Sequence, residues 1–235
     1  MRPPDAIAEF GAAIAHELRF DARLARRVRA EAEDHLLETL AGCDAACPAE
    51  AQREAIRAFG DVRELARAFV PGALQSLARR ASVLTALAVI GVFAAMNARV
   101  VWYGWMRWQA GDHLRAASAI ALPADHLAFA TAFVLALAAL AYTMTRRAPV
   151  RLDAGFGRQI ERCMRLGTTT LAALFAAITI ELVTTGIRFA ETELDRSALV
   201  PAFSLALEAA VAAGCAAYLG LTLRRLSLAL RLAGV

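Results

Sequence analysis

Four ionisable side chains interrupt long apolar stretches in the second half of this sequence. These residues are Arg99, Glu181, Arg188 and Glu208. A lone charge at the centre of a bilayer costs about 2.5–3.5 kcal/mol on insertion, so such residues tend to pair with one another. The cluster fits two hypotheses: a pathway or switch for protons or ions, and a structural ion pair that fixes helix packing. We favour the ion pair, because one charge cluster in four apolar stretches makes a poor conduit.

The depths of these residues predict which charges pair. If the apolar stretches are helices that span a bilayer, Arg99 and Glu208 each lie about seven residues from the outer end and Glu181 about nine, which is a difference of about 3 Å. Glu208 is therefore the expected partner of Arg99, and Glu181 is the second choice. Arg188 shares a helical face with Glu181 but can extend to the outer surface. Asn97 is expected to add a hydrogen bond to the cluster.

Four apolar stretches are long enough to cross a membrane as helices, since a helix needs roughly 20 apolar residues to cross about 30 Å of hydrocarbon. They span residues 82–106, 126–145, 168–190 and 201–223. Three of them contain the charged residues. Hydrophobic residues make up 59% of the chain and charged residues 20%, so the two kinds are segregated along it. This composition argues against a soluble enzyme, a disordered chain and a nucleic-acid-binding tail. It predicts an all-α protein with a four-helix transmembrane bundle.

The placement of arginine predicts the orientation of that bundle, because cytoplasmic loops are rich in Arg and Lys. Arginines cluster before the first span, between the second and third spans, and after the fourth span, whereas the loops at 107–125 and 191–200 hold few of them. Both termini are therefore expected on the cytoplasmic side. An aromatic belt is expected at the outer end of the first span. It would contain Trp102, Tyr103, Trp105 and Trp108.

Two further patterns in the membrane half leave alternatives open. Residues 154–166 have an apolar face that fits a helix lying on the inner leaflet, but a solvated loop fits equally well. The fourth span has rows of small residues that allow close helix packing. The rows contain Ala209, Ala213 and Ala217, and Ala212, Ala216 and Gly220. They serve either packing within the bundle or a contact between two copies of the chain, so a homo-oligomer is one expectation.

The N-terminal part of the chain is expected to form a compact cytoplasmic domain of helices over residues 1–72. A connector at 73–81 and the transmembrane domain at 82–235 follow it. The first helix of the domain should bury one apolar stripe. That stripe consists of Ile7, Phe10, Ile14 and Leu18.

Residues with a strong preference for helix ends predict the boundaries inside this domain. Asp21 and Asp61 suit N-cap positions, where a side-chain oxygen accepts hydrogen bonds from free backbone N–H groups. Pro48 suits the first position of a helix and Gly60 the left-handed position after one. The Pro71-Gly72 pair is expected to end the last helix before the membrane.

Two motifs in this domain resemble a known family. The sequence contains Asp34-His35-Leu36 in its second predicted helix and Phe59-Gly60-Asp61 at the end of its third. Together with the amphipathic helix that follows, this order is similar to the HAAS, or permease-prefix, domain over residues 10–70. The resemblance implies a bacterial membrane protein with a PadR-like regulator as partner. Because the chain has no large extracytoplasmic domain and no nucleotide-binding cassette, it implies a regulatory or accessory protein of the inner membrane.

The placement of cysteine and histidine favours neither a metal site nor an enzyme. Cys43 and Cys47 are separated by three residues, whereas structural zinc sites use spacings such as C-x₂-C with a second ligand pair. Loop and cap positions are the favoured interpretation of these cysteines. Asp34 and His35 are adjacent on a helix and point apart, so they indicate an exposed surface. Without a catalytic or phosphate-binding motif, we expect no enzymatic activity and no cofactor.

These features predict an integral membrane protein that regulates or scaffolds through protein contacts of its cytoplasmic domain. Expected roles are transmembrane signalling and control of a transcription regulator, with a change in bundle packing passed to that domain. The expected contact surface consists of Glu31, Asp34, His35 and Glu38. Expected partners are a PadR-like regulator, a sigma-type factor or an ABC transporter component, together with membrane lipids, but not nucleic acid. The alternative is an accessory subunit of an ABC-type exporter or a small ion- or proton-coupled transporter.

Overall fold

The computed structural model describes residues 6–41, 48–107, 111–145, 154–191 and 198–233. Nearly all of these residues lie in helices, and none of them lies in a β-strand. In chain order the helices are α1 (Ala6–Glu17), α2 (Ala22–Ala41), α3 (Pro48–Phe59), α4 (Val62–Trp105), α5 (Asp112–Thr145), α6 (Ala154–Glu191) and α7 (Leu199–Ala233). The all-α prediction is confirmed, although the four long helices start earlier than the apolar stretches inside them.

The chain divides into two compact units. The first unit contains Met1–Leu77, Arg147–Gln159 and Leu223–Val235, and the second contains Ala78–Arg146 and Ile160–Thr222. Helix α4 therefore contributes residues to both units. The short amphipathic helices α1 to α3 belong to the first unit, whereas the second is built from membrane-length helices.

The core of the first unit is built by apolar stripes on its short helices. The predicted stripe, on α1 and the residue that follows it, is buried. It contains Ile7, Phe10, Ile14 and Leu18. Helix α2 packs against α1 and buries Val28 and Leu36, which are eight residues apart and so share one helical face. The helical period of the apolar residues therefore predicted this core correctly.

Two aspartates cap helices of the first unit as predicted. The Oδ1 atom of Asp21 accepts hydrogen bonds from the backbone N–H groups of Arg23 and Leu24 at 3.0 and 3.1 Å. Asp61 does the same at the start of α4, where the N–H groups of residues 63 and 64 donate at 2.8 and 3.1 Å. Gly60 separates α3 from α4 with a φ of 109°, a conformation that favours glycine. Helix α3 begins at Pro48, also as predicted.

The predicted stop at Pro71-Gly72 is wrong, because α4 continues through both residues to Trp105. A proline inside a helix removes one backbone hydrogen bond and costs about 3 kcal/mol or more. Burial offsets that cost here. Val70 and Leu74 on either side of the proline are fully buried, so the packing of this segment maintains the helix. Residues 73–81, expected as a connector, are helical.

The second unit is a helical bundle with a core of small and aliphatic residues. This core contains Ala86, Val89, Val92, Ala132, Ala136, Leu174, Ile178 and Ala212. Four helices are long and apolar enough to span a membrane by length and composition. Many large apolar side chains, among them Ile120, Leu127 and Phe203, point outward and are exposed. Because lipid is the solvent in which such a surface is stable, these features are those of a multi-pass membrane protein.

The helices bear on the two patterns of the membrane half that left alternatives open. Residues 154–166 are helical from Ala154 onward, and Phe156 and Ile160 are buried, so the solvated-loop alternative is wrong. Ala212 lies in the bundle core, whereas the small-residue row from Ala209 to Ala217 is exposed. Three other predictions fall outside the described residues. They concern Cys43, Cys47 and Trp108.

Candidate functional site

Arg99 lies between two carboxylates in the second unit. Its Nη1 atom is 2.7 Å from Oε1 of Glu208, and its Nη2 atom is 2.8 Å from Oε2 of Glu181. The side chains of Arg99 and Glu208 are each 1% exposed, whereas that of Glu181 is 18% exposed. The three residues come from α4, α7 and α6, so one guanidinium joins three helices. We call this group the Arg99 triad.

Helical periodicity explains why these three side chains face inward. Arg99 follows the buried Val92 by seven residues on α4, and Glu208 precedes the buried Ala212 by four on α7. Residues at these spacings lie on one helical face. Glu181 follows Ile178 by three residues on α6 and lies at the edge of the same apolar face. The sequence thus places one basic and two acidic groups in the interior of the bundle.

A serine extends the hydrogen bonding of the triad. The hydroxyl of Ser204 donates to Oε1 of Glu208 at 2.9 Å, and Nη1 of Arg99 lies 3.5 Å from the same hydroxyl. Ser204 precedes Glu208 by one helical turn. Ser204 was not predicted from the sequence, because serine in an apolar helix often bonds only to its own backbone. Two buried atoms, Nε of Arg99 and Oε2 of Glu208, have no hydrogen-bond partner within the described part of the chain.

Asn97, which was expected to contribute to the cluster, lies elsewhere. Its side chain is exposed, and its Nδ2 atom donates to the backbone carbonyl of Phe93 at 2.9 Å. Residues two apart on a helix do not share a face, so Asn97 and Arg99 point in different directions. The expected hydrogen bond from Asn97 to the cluster is therefore wrong.

Arg188 lies against an aromatic ring. Its guanidinium carbon is 4.1 Å from the centre of the Tyr103 ring, which is the geometry of a cation–π contact. The hydroxyl of Tyr103 is in turn 3.2 Å from the hydroxyl of Thr185. Arg188 and Thr185 are both on α6 and three residues apart, so they reach the same tyrosine of α4. This contact fixes the tyrosine between two side chains of a neighbouring helix.

A cavity of about 570 Å³ lies in the second unit among α4, α5 and α6. Glu181, Arg188 and Tyr103 line it together with Asp125 of α5. Asp125 was not among the residues predicted from the sequence, because it was expected in the loop before the second span. Helix α5 in fact begins at Asp112, so Asp125 lies well inside the helix. A carboxylate just after Pro123 and just before an apolar run was the signal available in the sequence.

The expected partner surface lies on α2 in the first unit. Its four residues are exposed. They are Glu31, Asp34, His35 and Glu38. The ring of His35 lies 5.7 Å from that of Phe59, and Arg27 lies 3.6 Å from Glu31. The other side chains of this surface are acidic and at the spacing of one helical stripe, so the surface suits a basic or polar protein partner.

A basic groove in the first unit was not predicted. It encloses about 320 Å³, and half of its lining residues are arginines. The arginines are Arg19, Arg63, Arg67 and Arg231. Arg67 donates from Nε to the backbone carbonyl of Leu232 at 3.0 Å, and Arg63 lies 3.5 Å from Glu17. The groove brings together residues from three separate parts of the chain, which no local pattern in the sequence could reveal.

Among the residues that the structure describes, no group of three or more His, Cys, Asp or Glu is arranged to hold a metal ion. Comparison of the chain with protein-family models, with curated proteins and with solved structures finds no match. The resemblance of residues 10–70 to the HAAS domain therefore remains a prediction from the residues themselves.

Proposed function

We propose that this chain is an integral membrane protein that regulates or scaffolds through protein contacts of its N-terminal helical unit. In this proposal both termini lie in the cytoplasm and the bundle lies in the inner membrane of a bacterium. The N-terminal unit then faces soluble partners, while the bundle senses or transmits a change at the membrane. Helix α4 contributes residues to both units and is the proposed route for such a change.

The observation that carries this proposal is the double ion pair of Arg99. Both terminal nitrogens of its guanidinium are bonded to carboxylates, at 2.7 and 2.8 Å, on two other helices. A buried pair of this kind is costly to separate, since an uncompensated charge remains in a low-dielectric setting. The triad therefore favours one packing of the bundle over others. This is a property expected of a scaffolding element more than of a conduit, which needs groups that exchange partners.

The proposed partner surface consists of Glu31, Asp34, His35 and Glu38 on α2. All four side chains are exposed, so they are accessible without any rearrangement of the helix. Acidic residues on an exposed helix attract basic patches and raise the rate of association with them. A PadR-like regulator, a sigma-type factor or a component of an ABC transporter are the proposed partner classes.

Charge reversal on α2 tests this proposal. The full chain, tagged and expressed in its native membrane, is crosslinked, purified and analysed by mass spectrometry. A variant with Glu31→Arg, Asp34→Arg and Glu38→Arg should lose a partner that the wild type retains. The matched control is Glu54→Arg on α3, because Glu54 is also exposed and also pairs with an arginine of its own helix. If the α2 variant retains every partner of the wild type, the surface is not the site of contact.

One observation favours the alternative function, a small ion- or proton-coupled transporter. Asp125 is a buried carboxylate that lines a cavity of the bundle, and such residues mark ion pathways in membrane proteins. The purified protein in liposomes with an internal pH-sensitive dye discriminates between the two. Proton uptake driven by an imposed potential, and abolished by Asp125→Asn, would support transport. Absence of uptake would support the regulatory or scaffold function.

A further inference from the structure

The cavity among α4, α5 and α6 has the size and lining of a ligand site. Its volume of about 570 Å³ falls within the range of about 300–1,000 Å³ that is typical of pockets for small molecules. Four large aliphatic side chains contribute to its wall. They are Val100, Leu114, Leu122 and Ile180. An apolar wall with a few polar groups is the usual composition of a small-molecule site.

Among the residues that the structure describes, Asp125 is the cavity-lining carboxylate that forms no ion pair. The residue is 3% exposed, and its Oδ1 atom is buried with no hydrogen-bond partner among the described residues. A buried charge without a partner costs several kcal/mol, so proteins seldom keep one without a use. The carboxylate lines the cavity, where a molecule that enters could supply the missing donor.

The other charged groups of the wall already have partners or face water. Glu181 is bonded to Arg99 at 2.8 Å, and Arg188 lies over the Tyr103 ring at 4.1 Å. Arg107, in the turn after α4, is exposed. The group that Asp125 lacks is therefore a positively charged hydrogen-bond donor, which a ligand in the cavity could supply.

We propose that this cavity binds a small amphipathic organic cation, whose ammonium or guanidinium group bonds to Asp125 and whose apolar body packs on the aliphatic wall. Charge-assisted hydrogen bonds to a carboxylate are about twice as strong as neutral ones, which makes Asp125 the anchor of the ligand. An inorganic divalent cation fits less well, because it requires six or more oxygen ligands, and among the described residues no group of three His, Cys, Asp or Glu is arranged to hold a metal ion. This site does not depend on the regulatory function proposed above.

Binding of simple probe molecules tests the inference. The full chain is purified, placed in lipid nanodiscs and titrated calorimetrically with phenethylamine, with its neutral analogue 2-phenylethanol and with phenylacetate. Phenethylamine should bind measurably and raise the melting temperature, since a ligand that binds only the folded state stabilises it. Phenethylamine should bind at least about tenfold more tightly than 2-phenylethanol, because the neutral alcohol gives the buried carboxylate no charged partner.

Two substitutions on the same helix locate the site. Asp125→Asn should lower the affinity for phenethylamine to that for 2-phenylethanol. Asp112→Asn is the matched control, since Asp112 is also on α5 but its side chain is 95% exposed, and it should leave binding unchanged. The asparagine variant removes an uncompensated buried charge, so it should fold at least as well as the wild type.

A third variant tests the cavity without altering its charge. Ala121 lines the cavity, and Ala121→Phe should fill part of the space and weaken both phenethylamine and 2-phenylethanol. The inference is overturned if Asp125→Asn binds phenethylamine as the wild type does. It is also overturned if phenylacetate binds more tightly than phenethylamine, because the site would then prefer anions. Equal effects of Asp125→Asn and Asp112→Asn would mean adsorption to the lipid surface and would likewise overturn it.

Discussion

Arg99 and Glu208 form a buried ion pair between α4 and α7, with 2.7 Å between Nη1 and Oε1 and each side chain 1% exposed. The same guanidinium also bonds to Glu181, which is 18% exposed. The two carboxylates are therefore unequal partners, since one is sealed inside the bundle and the other borders a cavity. This difference in exposure determines how much the stability of the bundle should change when each carboxylate is removed.

Removing Arg99 should destabilise the bundle more than removing the arginine together with its buried partner. Arg99→Leu leaves two carboxylates without a counter-charge, and breaking a buried pair in this way costs about 3–5 kcal/mol. Adding Glu208→Gln should restore a large part of the loss, whereas adding Glu181→Gln should restore less, because Glu181 is more exposed. Thermal unfolding of the detergent-solubilised variants, followed by circular dichroism, measures the effect. If each double variant equals the sum of its singles, the charges are not coupled.

Ser204→Ala should weaken the Arg99 triad without disturbing its charges. The hydroxyl donates to Oε1 of Glu208 at 2.9 Å, and a hydrogen bond to a charged group contributes about 1.5–3 kcal/mol. The expected result is a lower melting temperature in the same unfolding measurement. Ser227→Ala on the same helix is the matched control, because the Ser227 hydroxyl is exposed and bonds only to the carbonyl of Arg224. Equal melting temperatures of the two variants would show that Ser204 does not support the triad.

The sequence predicted those features of this fold that follow from the local spacing of apolar residues and from the preference of certain residues for helix ends. The stripe on α1, the caps at Asp21 and Asp61, and the four long apolar helices all depend on residues close together in the chain. The continuation of α4 through Pro71 could not be predicted in this way, because its cause is the burial of Val70 and Leu74. Tertiary packing there overrides a strong local preference.

The site was predictable to a similar degree. The pairing of Arg99 could be inferred because a charge in an apolar stretch requires a partner. Asp125 could not, since it precedes the apolar stretch of the second span, and only the extension of α5 back to Asp112 places it inside a helix. Ser204 was missed for a related reason. Its role depends on the neighbouring Glu208 and on Arg99 of another helix, not on its own residue type.

The core of the first unit should be more sensitive at Phe10 than at Phe59. The two rings meet edge to face with 5.7 Å between their centres, but Phe10 is 8% exposed and Phe59 is only partly buried. Phe10→Ala should therefore cost about 3–5 kcal/mol, the usual range for a buried phenylalanine, and Phe59→Ala clearly less. Hydrogen exchange of the α1 and α2 amides in the full chain measures both. A larger effect of Phe59→Ala would contradict the burial of these rings.

Reporter fusions should show an even number of membrane crossings with both ends on the same side. The chain has four helices of membrane-spanning length and composition, and its arginines cluster at 79–80, at 146–165 and at 224–231. Since basic residues stay in the cytoplasm, fusions after residue 75, within 148–155 and at the C-terminus should report the cytoplasm. Fusions near residues 112 and 195 should report the outside. A control variant removes arginines from the loop between the second and third spans. With Arg146, Arg147 and Arg151 replaced by Asn, a smaller fraction of the 148–155 fusion should report the cytoplasm. A C-terminal fusion that reports the outside would contradict the proposed orientation, because four crossings cannot place the two termini on opposite sides.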